Sequence, residues 1–256
     1  MSFFSRIFKR KEQLLEPADL SVLKTDFHSH LIPGIDDGAQ TMEDSILLIQ
    51  GLQSLGFEKI ITTPHCMSDF YKNTPSIIRE GLANVKEELK NRGIDVELEA
   101  SAEYYLDDDF ERKIDEGEII PFGDNYILFE LPFLAEPPNF NEVVFKLQSM
   151  GYRPILAHPE RYGFYYNNFE TYQDFVDRGI YLQVNMMSLM GHYSPETQKI
   201  AEKMIDRGLI SFIGSDLHND RQLPLLTHAS KMPSLHQLLS SGKLEITLVI
   251  SFKRSF

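Results

Sequence analysis

The residues able to do chemistry are imidazoles and carboxylates placed at the ends of apolar runs. His28 and His30 close one such run, and His65, Glu103, Glu130, His158, Asp216 and His218 each stand at or just past the end of another. Asp36 and Asp37 lie in the loop GIDDG that follows His30. Taken singly, each has an ordinary role: a strand-end histidine is most often a hydrogen-bonded structural residue, and a lone acid is most often a helix cap. Glu130 resists that reading, because it interrupts YILFELPF, where an unpaired carboxylate costs several kcal/mol to bury. Divalent cations satisfy it and its neighbours together. So many donors exceed one tetrahedral site, which points to two or three ions. With no thiolate in the set, manganese, iron and zinc all fit. Clustered ions of this kind bind and deprotonate a water, clamp substrate oxygens and neutralise a leaving group. The expected reaction is hydrolysis by a metal-activated hydroxide, most naturally of a phosphate ester. Arg161 in HPERY and Arg221 in HNDRQ follow candidate ligands closely, and guanidinium forks hold phosphate oxygens bidentately. Arg161, Arg221, Asp216 and His218 are therefore the expected catalytic set.

Elements that could position these residues are legible as an alternation. Apolar runs at 23–30, 58–65, 95–103, 126–132, 153–160, 180–185 and 209–216 read as strands. Between them, 41–56, 74–93, 139–151, 171–179 and 194–208 have helical periodicity and close on Gly56, Gly93, Gly151, Gly179 and Gly208. Thr41 with Asp44 resembles a capping box, and Ser194-Pro195 opens another helix. Strand–helix alternation predicts a parallel sheet, and this length favours closure into a barrel. In such a barrel the strand C-termini converge on one mouth. His28 and His30, two residues apart, face the same side.

Composition narrows the function. The 256 residues are 42% hydrophobic and 25% charged, enough for one sizeable core. A formal charge of -13 repels a phosphate backbone, so nucleic acid is an unsuitable partner. The single cysteine, Cys66, excludes an intrachain disulfide framework. No run approaches the roughly 20 apolar residues of a membrane span, and a cytoplasmic location is expected. Residues 1–20 form a basic leader in which Phe3, Phe4, Ile7 and Phe8 fit one helical face, with Arg6, Lys9, Arg10 and Lys11 beside them. A short basic amphipathic helix of this kind suits weak contact with an anionic membrane surface. Residues 21–256 form the domain, ending in the apolar run ITLVISF. Nucleotide-binding glycine loops are missing. His65-Cys66 imitates a cysteine phosphatase, but Lys72 stands where that mechanism needs arginine and the intervening loop has no glycine.

FHSHLIPGIDDGA, TTPH, SAEYY, FELP, AHPERY and GSDLHND, in that order, resemble the PHP (polymerase and histidinol phosphatase) superfamily. More narrowly they resemble its bacterial protein-tyrosine phosphatases encoded with capsule and exopolysaccharide genes. The resemblance runs from about Lys24 to about Gly242. It implies a distorted (β/α)7 TIM-like barrel, the PHP fold, with three ions. By that resemblance His28, His30, Glu103 and Asp216 hold the first ion, Glu103, Glu130 and His158 the second, and Asp37, His65 and His218 the third. It also implies manganese as the usual metal, Arg161 and Arg221 as phosphate-binding arginines, and an autophosphorylated tyrosine kinase of polysaccharide export as the phosphotyrosine substrate. The leader is extra to the minimal domain, and could bring the enzyme to such a kinase at the inner face of the membrane. Tyr104, Tyr105, Phe164 and Tyr165 lie in strand-end loops where they could flank a phosphotyrosine ring. Two rivals share these residues: a phosphatase of histidinol phosphate or another small phosphomonoester, and a binding module in which the metals are structural.

Overall fold

In the computed structural model, residues 14–245 are described; the basic residues of the leader and ITLVISF lie outside them. All strand pairs are parallel. One sheet has the order β1 (Thr25–Asp26), β2 (Lys59–Thr62), β4 (Glu97–Ala100). The other runs β3 (His65–Cys66), β5 (Glu103–Tyr105), β6 (Tyr126–Glu130), β7 (Arg153–Ala157), β8 (Tyr181–Asn185), β9 (Phe212–Gly214). Each expected strand is present, but two are divided. The run 58–65 breaks into β2 and β3 around Pro64, which has no N–H to give the ladder. The run 95–103 divides in register with it, so β3 pairs with β5 as β2 pairs with β4. The first run is regular only at Thr25–Asp26, because the Asp26 carboxylate takes the Ser215 N–H at 2.9 Å in place of a backbone rung. Further along, Asp216 N–H donates to His28 O and His30 N–H to Leu217 O, and Ser29 bridges Leu217 in parallel.

The helices follow their sequence signals. Thr41 and Asp44 form a reciprocal capping box on α1 (Met42–Ser54), and Thr74 caps α2 (Pro75–Asn91). α4 (Phe140–Ser149), α5 (Glu170–Asp177) and α6 (Pro195–Arg207) fill the other expected positions, Ser194 capping α6 through the Thr197 N–H. The five glycines all have positive φ, the left-handed turn in which Cβ is penalised. Unforeseen elements are α3 (Asp108–Glu116), α7 (Leu223–Ala229) and α8 (Pro233–Ser240). α3 is dominated by charge and buries only Phe110, Lys113 and Ile114, too thin a stripe to register as periodicity. Residues 14–20 run back along the last helices: Leu15 and Ala18 donate to the carbonyls of Lys231 and Ser230, and Leu20 is buried.

Strand alternation separates two apolar clusters. Ile127 and Phe129 join the large core, whereas Tyr126 and Leu128 join a smaller cluster with Phe27, Ile61, Phe122, Ile155, Ala157 and Phe212. Glu130 has the parity of Tyr126 and Leu128, so it continues the face of that small cluster, which forms an apolar floor.

Candidate metal centre

The strand ends bring all nine predicted ligands together. Three overlapping groups have donor atoms within 4.8 Å of one another: His28, His30, Glu103 and Asp216; His65, Glu103 and Glu130; and His30, Asp37, His65 and His218. His158 joins at Glu103, its Nε2 lying 2.9 Å from Glu103 Oε1 and 3.9 Å from Glu130 Oε2. Glu103 is common to two groups and wholly buried. The GIDDG loop, left open between its two acids by the residue pattern, divides its labour. Asp37 is half exposed and approaches His65 Nε2 at 3.5 Å and His218 Nε2 at 3.6 Å. Asp36 is buried behind the cluster, where it takes the His30 Nδ1–H at 2.8 Å and the backbone N–H groups of Gly38 and His65.

A second ring of side chains turns the imidazoles. His28 Nδ1 donates to Gln183 Oε1 at 2.8 Å, Gln183 Nε2 to Asn185 Oδ1 at 2.8 Å, and Asn185 Nδ2 to Asp216 Oδ2 at 2.6 Å. This chain joins two ligands of one group and leaves His28 Nε2 and Asp216 Oδ1 facing the centre. His218 is held likewise, its Nδ1 donating to the Asp216 carbonyl at 3.0 Å. Sequence reasoning missed Gln183 and Asn185, though the signal was available: both are polar, two apart, in an otherwise apolar strand.

His28 Nε2, His30 Nε2, His65 Nδ1 and Glu103 Oε2 are buried without a hydrogen-bond partner. Unpaired buried polar atoms cost about 1–3 kcal/mol each. Here they face one another at distances such as 3.2 Å for His28 Nε2 and Glu103 Oε2, so the donor set fits divalent cations. The electrostatics agree. Burial works against charge on His28, yet Glu103 and Asp216 outweigh it and push the imidazole up to about 9. Burial opposes charge on His30 too, and Asp36, Asp216 and Glu103 hold its pKa well above the ordinary value. Glu103 and Asp216 are held well below the carboxylate range despite burial, chiefly by His28. His218, partly buried and stacked 3.8 Å from the His30 ring, falls to about 4 through desolvation and the charge on His30. The acids demand positive charge at this spot.

Two candidate ligands also sit in strained backbone: His158 has φ 35 and Asp216 φ 51, the left-handed region that non-glycine residues rarely adopt. The turn after His158 carries Arg161, whose guanidinium lies 3.4 Å from Asp216 Oδ2 between the rings of Tyr193 (4.2 Å) and Phe133 (4.8 Å). Glu160, wholly buried, takes the Asn185 N–H and the Ser188 hydroxyl and so fixes that turn against β8. Arg221 is exposed in the turn Asp220–Gln222, with no ion pair among the described residues. Cys66 is buried, donates to the Asn73 carbonyl, and burial pushes its thiol up to about 11, which leaves it inert as a nucleophile. Of the aromatics expected at the mouth, Tyr104 and Tyr165 belong to the interior instead. Tyr104 stacks on Phe110 and accepts the Ile120 N–H; the Tyr165 hydroxyl is taken by Glu136. Tyr105 and Phe164 are half-buried. Phe133, Tyr193 and Tyr71 (stacked on His65) occupy the places next to ligands.

The sequence model of the family described as "Capsular polysaccharide synthesis, CpsB/CapC" matches residues 24–236. The chain belongs to the CpsB/CapC family. Among CpsB/CapC relatives, it is 30% identical over 195 residues to tyrosine-protein phosphatase YwqE of Bacillus subtilis, covering 76% of this chain and 77% of that one. It is 29% identical over 231 residues to the putative tyrosine-protein phosphatase CapC of Staphylococcus aureus, covering 87% and 91%. Superposition on a chain from the crystal structures of YwqE and of CpsB from Streptococcus pneumoniae, described as unique metal-dependent tyrosine phosphatases, gives a TM-score of 0.76 at 28% identity, covering 87% of this chain and 89% of that one. All the candidate ligands fall inside the matched segment.

Proposed function

We infer that this chain is a metal-dependent tyrosine phosphatase. The observation that carries the reading is the convergence of nine imidazole and carboxylate ligands on one mouth, in a chain whose CpsB/CapC relatives carry that activity in their names. His28, His30, Glu103 and Asp216 would hold one ion, Glu103, Glu130 and His158 a second, and Asp37, His65 and His218 a third, with manganese the preferred metal. Bound there, such ions supply an activated water and offset negative charge at phosphorus. Glu103, common to two donor groups, would serve the first two ions together. Arg161, pinned between two rings, presents its guanidinium beside Asp216 to bind an equatorial phosphate oxygen. Arg221, three residues past His218 and exposed, takes a second. Asp216 and His218, beside these arginines, complete the catalytic set.

Finer readings rest on the same residues. The parallel Ser29–Leu217 bridge and its two flanking hydrogen bonds support closure of the sheets into a distorted seven-stranded barrel. A protein substrate calls for a shallow, open mouth, and a capsule-family phosphatase suits an autophosphorylated tyrosine kinase of polysaccharide export. No helix among the described residues is long and apolar enough to cross a membrane; the basic leader would give peripheral contact with the kinase's membrane, and a leader deletion that leaves membrane association unchanged rules that out.

The deciding experiment is hydrolysis of a phosphotyrosyl peptide by metal-stripped protein with manganese added back, beside Cys66→Ser and Asp216→Ala. Activity that returns with metal, ignores Cys66→Ser to within about twofold, and is lost in a folded Asp216→Ala is the expected result. Turnover of histidinol phosphate but not peptide would keep the site and reject the substrate. Hydrolysis of neither would mean that the cluster is structural or serves different chemistry, and the phosphatase reading falls.

A further inference from the structure

We infer that Phe133 is the wall on which the substrate's phenyl ring lies, so that the loop 131–138 selects aryl phosphates; this rests on the phosphatase reading above. Phe133 stands three residues beyond Glu130. Its ring is parallel to that of His158, 16° apart at 5.9 Å, and covers the Arg161 guanidinium at 4.8 Å. It also touches Tyr162. Despite these contacts it remains 46% exposed, and Leu134 beside it is 95% exposed. A large ring half in water, against a metal ligand and a phosphate-binding arginine, is an apolar surface placed where a reacting phosphate must sit.

The loop that carries it is built rather than loose. Tyr162 OH takes the Leu131 N–H at 2.9 Å and donates to the Ala157 carbonyl, tying the start of the loop to the end of β7. Glu136 is held by the Tyr165 hydroxyl, and Pro132, Pro137 and Pro138 restrict the segment around Phe133. Tyr165, expected to flank a substrate ring, thus acts one step behind, and with Tyr162 it holds the loop of the residue that does. A single phenolic oxygen separates phosphorus from the ring of phosphotyrosine. A phosphate bound beside His158 and Arg161 therefore carries its ring to within a ring's width, in reach of Phe133 for offset or edge packing. Phosphoserine offers only a methylene there.

The test uses the manganese-loaded full chain and compares KM for a phosphotyrosyl peptide with the inhibition constant of inorganic phosphate, which has no ring. Phe133→Ala is expected to raise KM about tenfold while the phosphate constant stays within about twofold, and Phe133→Tyr is expected to restore KM. Because Phe133 is half exposed, its truncation leaves the core intact, and thermal melting checks this. An equal rise in both constants would mean that Phe133 acts only by holding Arg161, and no change in either would mean that it does nothing; each overturns the proposal. Wild-type protein that ignores the peptide altogether sinks the phosphatase reading itself, and the wall with it.

Discussion

Each imidazole of the centre has two nitrogens, and what one of them bonds decides what the other can hold. Asp36 orients His30, Gln183 orients His28 and the Asp216 carbonyl orients His218, in each case through Nδ1. Gln183 matters most, because through Asn185 it also fixes Asp216, so one amide pair sets two ligands. Gln183→Leu is expected to weaken metal binding about 10–100-fold, read by competition with a chelator, whereas Gln183→Glu keeps the acceptor and most of the affinity. Equal affinity in Gln183→Leu and wild type would show the amide chain to be incidental. The polar pair in QVN was visible in the sequence, but not that Gln183 meets a histidine 155 positions away.

Elements contribute by how closely they bring backbone together. The loop after His30 folds back on it so tightly that a Cβ on Gly38 would lie 2.2 Å from His30 O and 2.4 Å from His30 Cβ. Neither atom can yield without moving His30, a candidate ligand. Gly38→Ala is expected to leave a folded protein with reduced metal stoichiometry and activity lower by about a hundredfold, as for other displacements near 1 Å; full metal content by elemental analysis would refute this. Thr41→Ala, which removes the capping box at the other end of the same loop, should cost about 1 kcal/mol in chemical unfolding without touching the metal content. The contrast separates an element that positions ligands from one that merely starts a helix.

Across the whole molecule, the centre couples metal, protons and stability. Without metal, His28 titrates near 9 in the fold against 6.5 in the unfolded chain, so its contribution is present below about 6.5 and fades as pH rises towards 9. Glu103 and Asp216 have the opposite sign: their folded values are depressed, and their contribution is lost on acidification below the carboxylate range. Metal-stripped protein is therefore expected to melt at lower temperature at pH 9 than at about pH 6.5. A divalent cation held there would have to displace the same protons, so the stabilisation from added manganese should grow over that interval. Melting curves of both forms at the two pH values check this, and a metal increment that shrinks with rising pH would contradict the proton-linked account.

Much of this protein is local in origin and could be read in order along the chain. Apolar runs ending in imidazole or carboxylate, helices ended by glycine, and a glutamate stranded among aromatics follow from short-range rules of propensity and burial cost. They were enough to predict the parallel strands, five of the helices and the nine side chains that the strand ends bring together, though not Gln183 and Asn185 behind them. What remained depended on contacts far apart in sequence. The run 58–65 reads as one strand, and only the fold shows that it divides at Pro64 and that its neighbour divides in register. GIDDG offered two acids, and only packing turned Asp36 towards His30 and Asp37 towards His65 and His218. Aromatics in strand-end loops looked alike until burial assigned Tyr104 and Tyr165 to the interior and left Phe133 half in water. Residue type fixes which chemistry is available; which side of a loop each residue faces is decided by the many weak contacts of the folded core.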